Sequence, residues 1–530
     1  MKNRLCFFIL FFILILGFFL RVVNLQNLPH GFFCDEASIG YNAYSLLKTG
    51  KDEYGKSWPL FFKAFGEYKG PIQIYSTIPF VAIFGLNEFS VRLTSAIYGT
   101  LTILAVYFLV KELFPKKNSQ FSILNSQLIA SFFLAISPWH IHFSRVGFEL
   151  MPFVFFSTLG VWLFLKSLKA KNRLLTLNFA FLTFNLAFYS YSPARIFIPL
   201  FLTGLVLIFR KSFKIKALFL SFFIFFLLSL PLLFHIKSGQ GLSRWHQVSV
   251  FKEKTFSQAV KQMEKNYLAH FSLDFLFKKG DAGMSFLTRH SVRGMGELYW
   301  FQLPLIILGI LGLWRLKKHK ELAFLIWWLI LYPLGSVLTA DATPQATRSI
   351  IGVIPFQILS AAGVFYLFNL GEVGPRKMRS NLIRKILALL LLLLTGLSGA
   401  EFARYLNLYF NEYPKYSSGY YGWQWGFREI MEDFANEQTD YDELLITHRF
   451  NMGGTLLKFY QVSISCQKCK IAFNPITFDP LKKQLFALRK EGVEELEKQG
   501  VKFTTKKILY YPDDKEAFFI GEVQNRALTR

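Results

Sequence analysis

Long apolar runs, separated by short turns that are basic in alternation, constrain this chain more than any other feature. The runs lie at 5–20, 91–114, 123–138, 150–168, 174–189, 196–209, 217–234, 300–314, 322–338, 350–370 and 386–400. Several reach the length of a membrane-crossing helix, and in lipid a helix satisfies its own backbone polar groups. Hydrophobic residues make up 53% of the chain and phenylalanine alone occurs 62 times, more than a water-soluble core requires.

The formal charge is +26. Spread over one face, it would point to nucleic acid, but much of it sits in clusters between the runs. Alternate turns hold Lys111, Lys116 and Lys117; Lys166, Lys169, Lys171 and Arg173; Arg210, Lys211, Lys214 and Lys216; Arg315, Lys317, Lys318 and Lys320; and Arg376, Lys377, Arg379, Arg384 and Lys385. The intervening short turns hold one arginine each, Arg145, Arg195 and Arg348. This asymmetry places the N-terminus in the cytoplasm and argues against a nucleic-acid partner. An odd number of spans then puts the C-terminus outside. The basic start also fits a signal peptide, but Arg21-Val22-Val23-Asn24 after the first run is no small-x-small cleavage site, so a retained span is expected.

The expected organisation is a mainly α, polytopic membrane helical bundle over residues 1–400 with a small extracytoplasmic α/β domain over 401–530. Two long outer loops, about 22–90 and 235–299, accompany the tail on the outer side. In the tail, 427–437 reads as a helix, 444–447, 507–511 and 517–523 as strands, and 485–499 as a charged helix. Cys466-Gln467-Lys468-Cys469 lacks the further ligands of a zinc site, and a local disulfide is the favoured reading outside the cytoplasm.

The first outer loop carries the sharpest chemistry, Gly31-Phe32-Phe33-Cys34-Asp35-Glu36-Ala37 just beyond the first run. A carboxylate there can deprotonate a hydroxyl. The plainer reading is a helix N-terminus, with Asp as a cap, and one carboxylate can cap while the other works. Lys69, in Glu67-Tyr68-Lys69-Gly70-Pro71, and Arg92, in Ser90-Val91-Arg92-Leu93, can each hold a phosphate or anchor the chain at the interface. Tyr189, Tyr191, Tyr299, Trp300 and Trp139 read first as an aromatic belt. His140 and His142 flank Ile141 without an evident third ligand, so no metal site is assigned.

Together these motifs resemble the GT-C-type integral membrane glycosyltransferases, in particular bacterial relatives of protein O-mannosyltransferases and the lipid A aminoarabinose transferase. The resemblance rests on Asp35-Glu36, Tyr68-Lys69-Gly70-Pro71 and Ser90-Val91-Arg92-Leu93. It extends to Ser137-Pro138-Trp139-His140-Ile141-His142-Phe143-Ser144-Arg145 and Thr343-Pro344-Gln345-Ala346-Thr347-Arg348.

It implies transfer of a sugar from a polyprenyl-phosphate donor to an acceptor hydroxyl on a glycan, lipid or protein at the outer membrane face. Asp35 would be the base, with Glu36 beside it, and Lys69, Arg92, Arg145 and Arg348 would approach the lipid phosphate. Glu67, Tyr68, Arg195, His140 and His142 are further candidates for substrate contact. Gly70 stands where the family has a proline, and Tyr68 where it has a glutamate, with Glu67 one residue off. No cofactor is firmly implied, and a divalent cation is left open. The rival function is a transporter or flippase of lipid-linked glycans, whose charges belong nearer mid-membrane. The absence of a Gly-rich ATP loop leaves the donor bond as the energy source.

Overall fold

The computed structural model describes residues 2–114, 126–281, 289–340, 344–373 and 381–524. Lys116, Lys117, Thr343, Arg376, Lys377 and Arg379 lie outside them.

Within the described residues, each of the eleven apolar runs is mostly helical. The first is α1 (Lys2–Val22). Phe7, Phe8, Phe11, Phe12 and Phe19 are exposed on it while Leu10, Ile13 and Leu20 are buried, the one-sided packing of a helix that lipid solvates on its other face. A loop helix, α2 (Cys34–Thr49), follows and stops at Gly50 in the left-handed region, φ 68°. A two-stranded hairpin comes next, β1 (Phe62–Ala64) and β2 (Glu67–Lys69), with Phe62 opposite Lys69. Its turn residues Phe65 and Gly66 both have positive φ, 54° and 77°, as a tight two-residue hairpin requires. Pro71 then opens α3 (Pro71–Phe84), where a missing N–H costs nothing.

The bundle continues with α4 (Glu88–Leu113), whose cap Asn87 accepts from Ser90 N at 2.9 Å while Ser90 Oγ accepts from Asn87 N at 3.3 Å. Next are α5 (Ser126–Ile136), α6 (Pro138–Ser144), α7 (Leu150–Ser167), α8 (Arg173–Ser190), α9 (Ala194–Phe209) and α10 (Ile215–Lys237). The second long loop holds α11 (Ser243–Val248) and α12 (Phe256–Ala269). The bundle closes with α13 (Gln302–Arg315), α14 (His319–Leu331), the short α15 (Leu334–Val337) and α16 (Ala346–Ser349), α17 (Val353–Val373) and α18 (Asn381–Asn407). Among the described residues, seven helical stretches are long and apolar enough to cross a membrane on length and composition. Of the other helical runs, α5, α9 and α13 have only 11, 16 and 14 residues, and α8 carries Asn178 and Asn185 bonded to Ser221 and Ser229.

Past α18 the chain runs through α19 (Tyr413–Ser417) to α20 (Phe427–Glu437), the tail helix expected from sequence. Then come β3 (Glu443–Ile446), α21 (Gly453–Ser463), β4 (Cys469–Ile471), β5 (Gln484–Leu488), α22 (Lys490–Glu497), β6 (Lys502–Tyr510) and β7 (Glu516–Gln524). The sheet order is β4-β3-β5-β7-β6, with β3 parallel to both β4 and β5. Cys466 and Cys469 are joined in a disulfide. The charged helix expected over 485–499 is corrected: its first part is β5. Leu485, Phe486, Ala487 and Leu488 are all buried, the continuous apolar run of a strand covered on both faces.

The tail domain does not stand apart. Phe32, Ala37, Ile39, Ala43 and Leu46 of the first loop share one hydrophobic core with Phe427, Ile430, Phe434 and Phe459. The rings of Phe32 and Phe459 are 4.8 Å apart, and a Cβ at Gly40 would come within 2.7 Å of Phe459. Tyr405, Tyr409, Tyr413 and Trp423 belong to the core of the membrane bundle.

Candidate active site

Asp35 lies in the first turn of α2, where the helix dipole favours negative charge. Its side chain is 28% exposed and accepts a hydrogen bond from Lys69 Nζ. Lys69 ends β2, and alternation along that strand turns it inward, 4% exposed, while Tyr68 meets the edge of the His235 ring. Gly70 follows because nothing larger fits: a Cβ there would sit 2.1 Å from Tyr189 O. A second carboxylate, Glu149 just ahead of α7, has Oε2 3.7 Å from Lys69 Nζ. Two acids thus hold a lysine that burial would otherwise discharge.

Further charges ring this triad. Glu67 pairs with Arg244 of α11 at 3.3 Å. Arg195, at the start of α9, donates to Gly241 O at 2.6 Å and is within electrostatic reach of Glu149 and Glu67. Tyr191 is in the field of Arg348, Glu149, Arg244 and Glu67. Arg348 donates to Thr339 Oγ1 at 2.5 Å. Arg289, from the far end of the second long loop, stacks 3.9 Å over the Phe33 ring, donates to Tyr421 O at 2.6 Å and acts electrostatically on Asp35. Five cationic side chains therefore stand against Asp35, Glu149 and Glu67, with Asp281 a fourth carboxylate within reach of Arg289, a cationic excess suited to an anionic ligand.

The environment sorts the carboxylates. Burial would raise Asp35, but the Lys69 ammonium, then Arg289 and Arg244, outweigh it and hold it below the usual carboxylate range. Burial likewise opposes charge on Lys69, yet Asp35, Glu149 and Glu67 keep it firmly protonated. Glu149 goes the other way. Burial pushes it up to about 7, with Glu67 and Asp35 adding to the effect against the pull of Lys69. Below that pH Glu149 is neutral and the site is one charge more positive. Affinity for an anionic ligand of fixed charge, such as a phosphodiester, is therefore expected to weaken as pH rises from 6 to 8 through about 7. The change should be on the order of tenfold, as for one charge about 8 Å away at an effective dielectric of about 20. Glu149→Gln should flatten the profile, and an equally steep profile in that variant would exclude Glu149 as its source.

The structure does not bring Glu36, Arg92, Arg145 or His140 into this cluster. Glu36 caps α2 in place of Asp35, its Oε2 accepting from Phe33 N at 3.2 Å. It also takes Arg92 Nε at 2.9 Å, Arg92 Nη2 at 3.1 Å and Gly147 N at 2.8 Å. Arg92 further donates to the carbonyls of Leu25, Gln26, Pro29 and Gly31. Arg145 donates to the carbonyls of Leu20, Val23 and Leu28 and to the Tyr409 hydroxyl. His140 Nδ1 is 2.7 Å from Arg21 Nη2, whereas His142 Nε2 donates to Arg289 O at 2.8 Å. Among the described residues no three His, Cys, Asp or Glu side chains converge as a metal-ligand set.

Sequence reasoning passed over Glu149 and gave Arg289, Arg244 and Tyr191 no role in the site. Glu149 did carry a signal. It is the sole acidic residue between Glu112 and Glu253, set just before an apolar run.

A family model described as dolichyl-phosphate-mannose-protein mannosyltransferase matches residues 69–235, a stretch that opens on Lys69 and takes in Glu149 and Arg195. An uncharacterized protein of Aquifex aeolicus (strain VF5) is 25% identical over 339 residues, 62% of this chain and 58% of that one. Among solved structures, the archaeal oligosaccharyltransferase AglB from Archaeoglobus fulgidus, in complex with an inhibitory peptide and a dolichol-phosphate, is similar with a TM-score of 0.53. The identity there is 14%, over 88% of this chain and 65% of AglB. ArnT from Cupriavidus metallidurans bound to undecaprenyl phosphate is similar with a TM-score of 0.52 and 10% identity, over 96% of this chain and 97% of ArnT. The chain thus spans less than two thirds of the Aquifex relative and of AglB. Its fold is that of the GT-C-type integral membrane glycosyltransferases, a multi-pass helical bundle with a small α/β tail domain. Within that fold, its likeness to ArnT extends over nearly the whole of both chains.

Proposed function

We propose that the chain transfers a sugar from a polyprenyl-phosphate donor to an acceptor hydroxyl, at the membrane face opposite its N-terminus. The observation that carries this reading is the buried Lys69 ammonium held between Asp35 and Glu149 inside a ring of arginines. In the reaction, the acceptor oxygen bonds to the sugar's anomeric carbon as the bond from that carbon to the phosphate oxygen breaks. The hydroxyl proton passes to Asp35. The donor phosphodiester carries one negative charge and the departing lipid phosphate two. Cations aimed at that oxygen therefore stabilise the transition state more than the ground state.

Lys69 is assigned to the phosphate, with Arg348, Arg289, Arg195 and Arg244 sharing the developing charge. As Lys69 turns toward the phosphate it loosens its hold on Asp35, which becomes a stronger base at the moment it is needed. Glu36, Arg92 and Arg145 are assigned to the frame behind the site, because backbone groups and one another already engage them.

The test uses purified protein and undecaprenyl phosphate carrying a radiolabelled sugar. Wild type should release or transfer the label. Lys69→Gln should weaken binding of undecaprenyl phosphate by about ten- to a hundredfold, the size of a lost charge-assisted hydrogen bond. Wild-type protein that neither binds this lipid nor turns over its sugar ester would rule the reading out.

A further inference from the structure

Strands β3 and β5 are parallel neighbours, so their carboxyl ends lie on one edge of the sheet. Beyond β3, Asn451 Nδ2 contacts Cys34 Sγ at 3.8 Å, one residue from Asp35. Beyond β5, Arg489 lies 5.8 Å over the Tyr420 ring and 5.6 Å over Phe518, and its buried Nε has no hydrogen-bond partner. Tyr420 and Tyr421 stand edge to face with centroids 5.0 Å apart, and are 37% and 59% exposed. The Tyr421 carbonyl holds Arg289, whose guanidinium lies on Phe33 beside Asp35. Tyr420 and Tyr421 thus form an aromatic ledge between Arg489, just beyond β5, and Arg289, which lies on Phe33. Crevices outside the carboxyl ends of parallel strands are favoured binding places in α/β domains.

We infer that this ledge, Tyr420, Tyr421 and Arg489, is a saccharide-binding subsite that seats the acceptor. The assignment of the occupant as the acceptor rests on the proposed transfer reaction. The exposed tyrosine faces offer area to the C–H face of a pyranose at little conformational cost, their hydroxyls can bond its hydroxyls, and Arg489 backs the Tyr420 ring from below. A peptide docking as an added strand would need an open ladder, and the open edges of this sheet are β4 and β6, not the strand ends.

The experiment is saturation-transfer NMR on the full chain in nanodiscs, with mannobiose, cellobiose and chitobiose as saccharide probes and a serine-containing hexapeptide as the competing class. At least one disaccharide should receive saturation from wild type. The signal should be lost in Tyr420→Ala/Tyr421→Ala and kept in Tyr420→Phe/Tyr421→Phe. A thermal unfolding midpoint measured on each variant separates loss of the ledge from loss of fold. Tyr421→Ala alone, at a mostly exposed side chain, serves if the double variant unfolds early. The inference is overturned if no disaccharide saturates, if the alanine variant saturates as wild type does, or if only the peptide does. Sugar release from the labelled donor is read separately. Donor turnover without saccharide binding overturns the ledge alone, and saccharide binding at the ledge without donor turnover overturns the reaction alone.

Discussion

Asp35→Asn is expected to lower the rate of the proposed sugar transfer by about 10²–10⁴-fold, the range for removing a positioned general base, while leaving the unfolding midpoint at the wild-type value. Both halves follow from where Asp35 sits. Its carboxylate is the most exposed member of the triad, so it faces the space where an acceptor hydroxyl can approach. Asparagine keeps the shape and still accepts from Lys69 through its amide oxygen, but takes no proton at neutral pH. Lys69 keeps Glu149 at 3.7 Å, so no buried cation is stranded and the fold loses little. The measurement is single-turnover transfer from labelled donor, beside a thermal melt in the same detergent. An Asp35→Asn protein that turns over as wild type does would remove Asp35 from the chemistry.

Much of this architecture was legible in the sequence because apolar length is a local signal. Most helical runs, and α20, could be placed to within a few residues, since a period of 3.6 is written in neighbouring residues, but the last run extends from Asn381 to Asn407, well beyond the expected 386–400. The hairpin of β1 and β2 was not legible: three residues per strand are too few to show alternation. Strand β5 was misread because a strand covered on both faces has no polar side to mark its period. Asp35 and Lys69, which the structure brings together, were singled out through their motifs. Arg289 was not, because 254 residues separate it from Asp35 and its contact with the site is wholly tertiary. Arg92 and Arg145 drew attention as lone basic residues on the side poor in them. The carbonyls that occupy them carry no side-chain identity that a sequence displays. For the same reason the shared core of the first loop and the tail domain read as two separate apolar patterns.

Glu36, one residue from Asp35, should fail differently. Replacing it with glutamine leaves the Arg92 guanidinium in a fully buried place without its counter-charge, and breaking a buried pair of this kind costs about 3–5 kcal/mol. For a chain of this length that is a fall of roughly 3–5 °C in unfolding midpoint, where Asp35→Asn shows little. Buried ion pairs can often be exchanged for apolar residues without loss, so the double variant Glu36→Leu/Arg92→Leu is the sharper test. Here the exchange should not rescue stability. Arg92 also serves the carbonyls of Leu25, Gln26, Pro29 and Gly31, and Glu36 receives Phe33 N and Gly147 N, none of which leucine can partner. The pair is therefore a hub that ties the end of α1, the start of α2 and the turn before α7 into one frame around Asp35. A double variant that melts with wild type would show that this frame stands without them, and that the position of Asp35 is set by its own helix and by Lys69 alone.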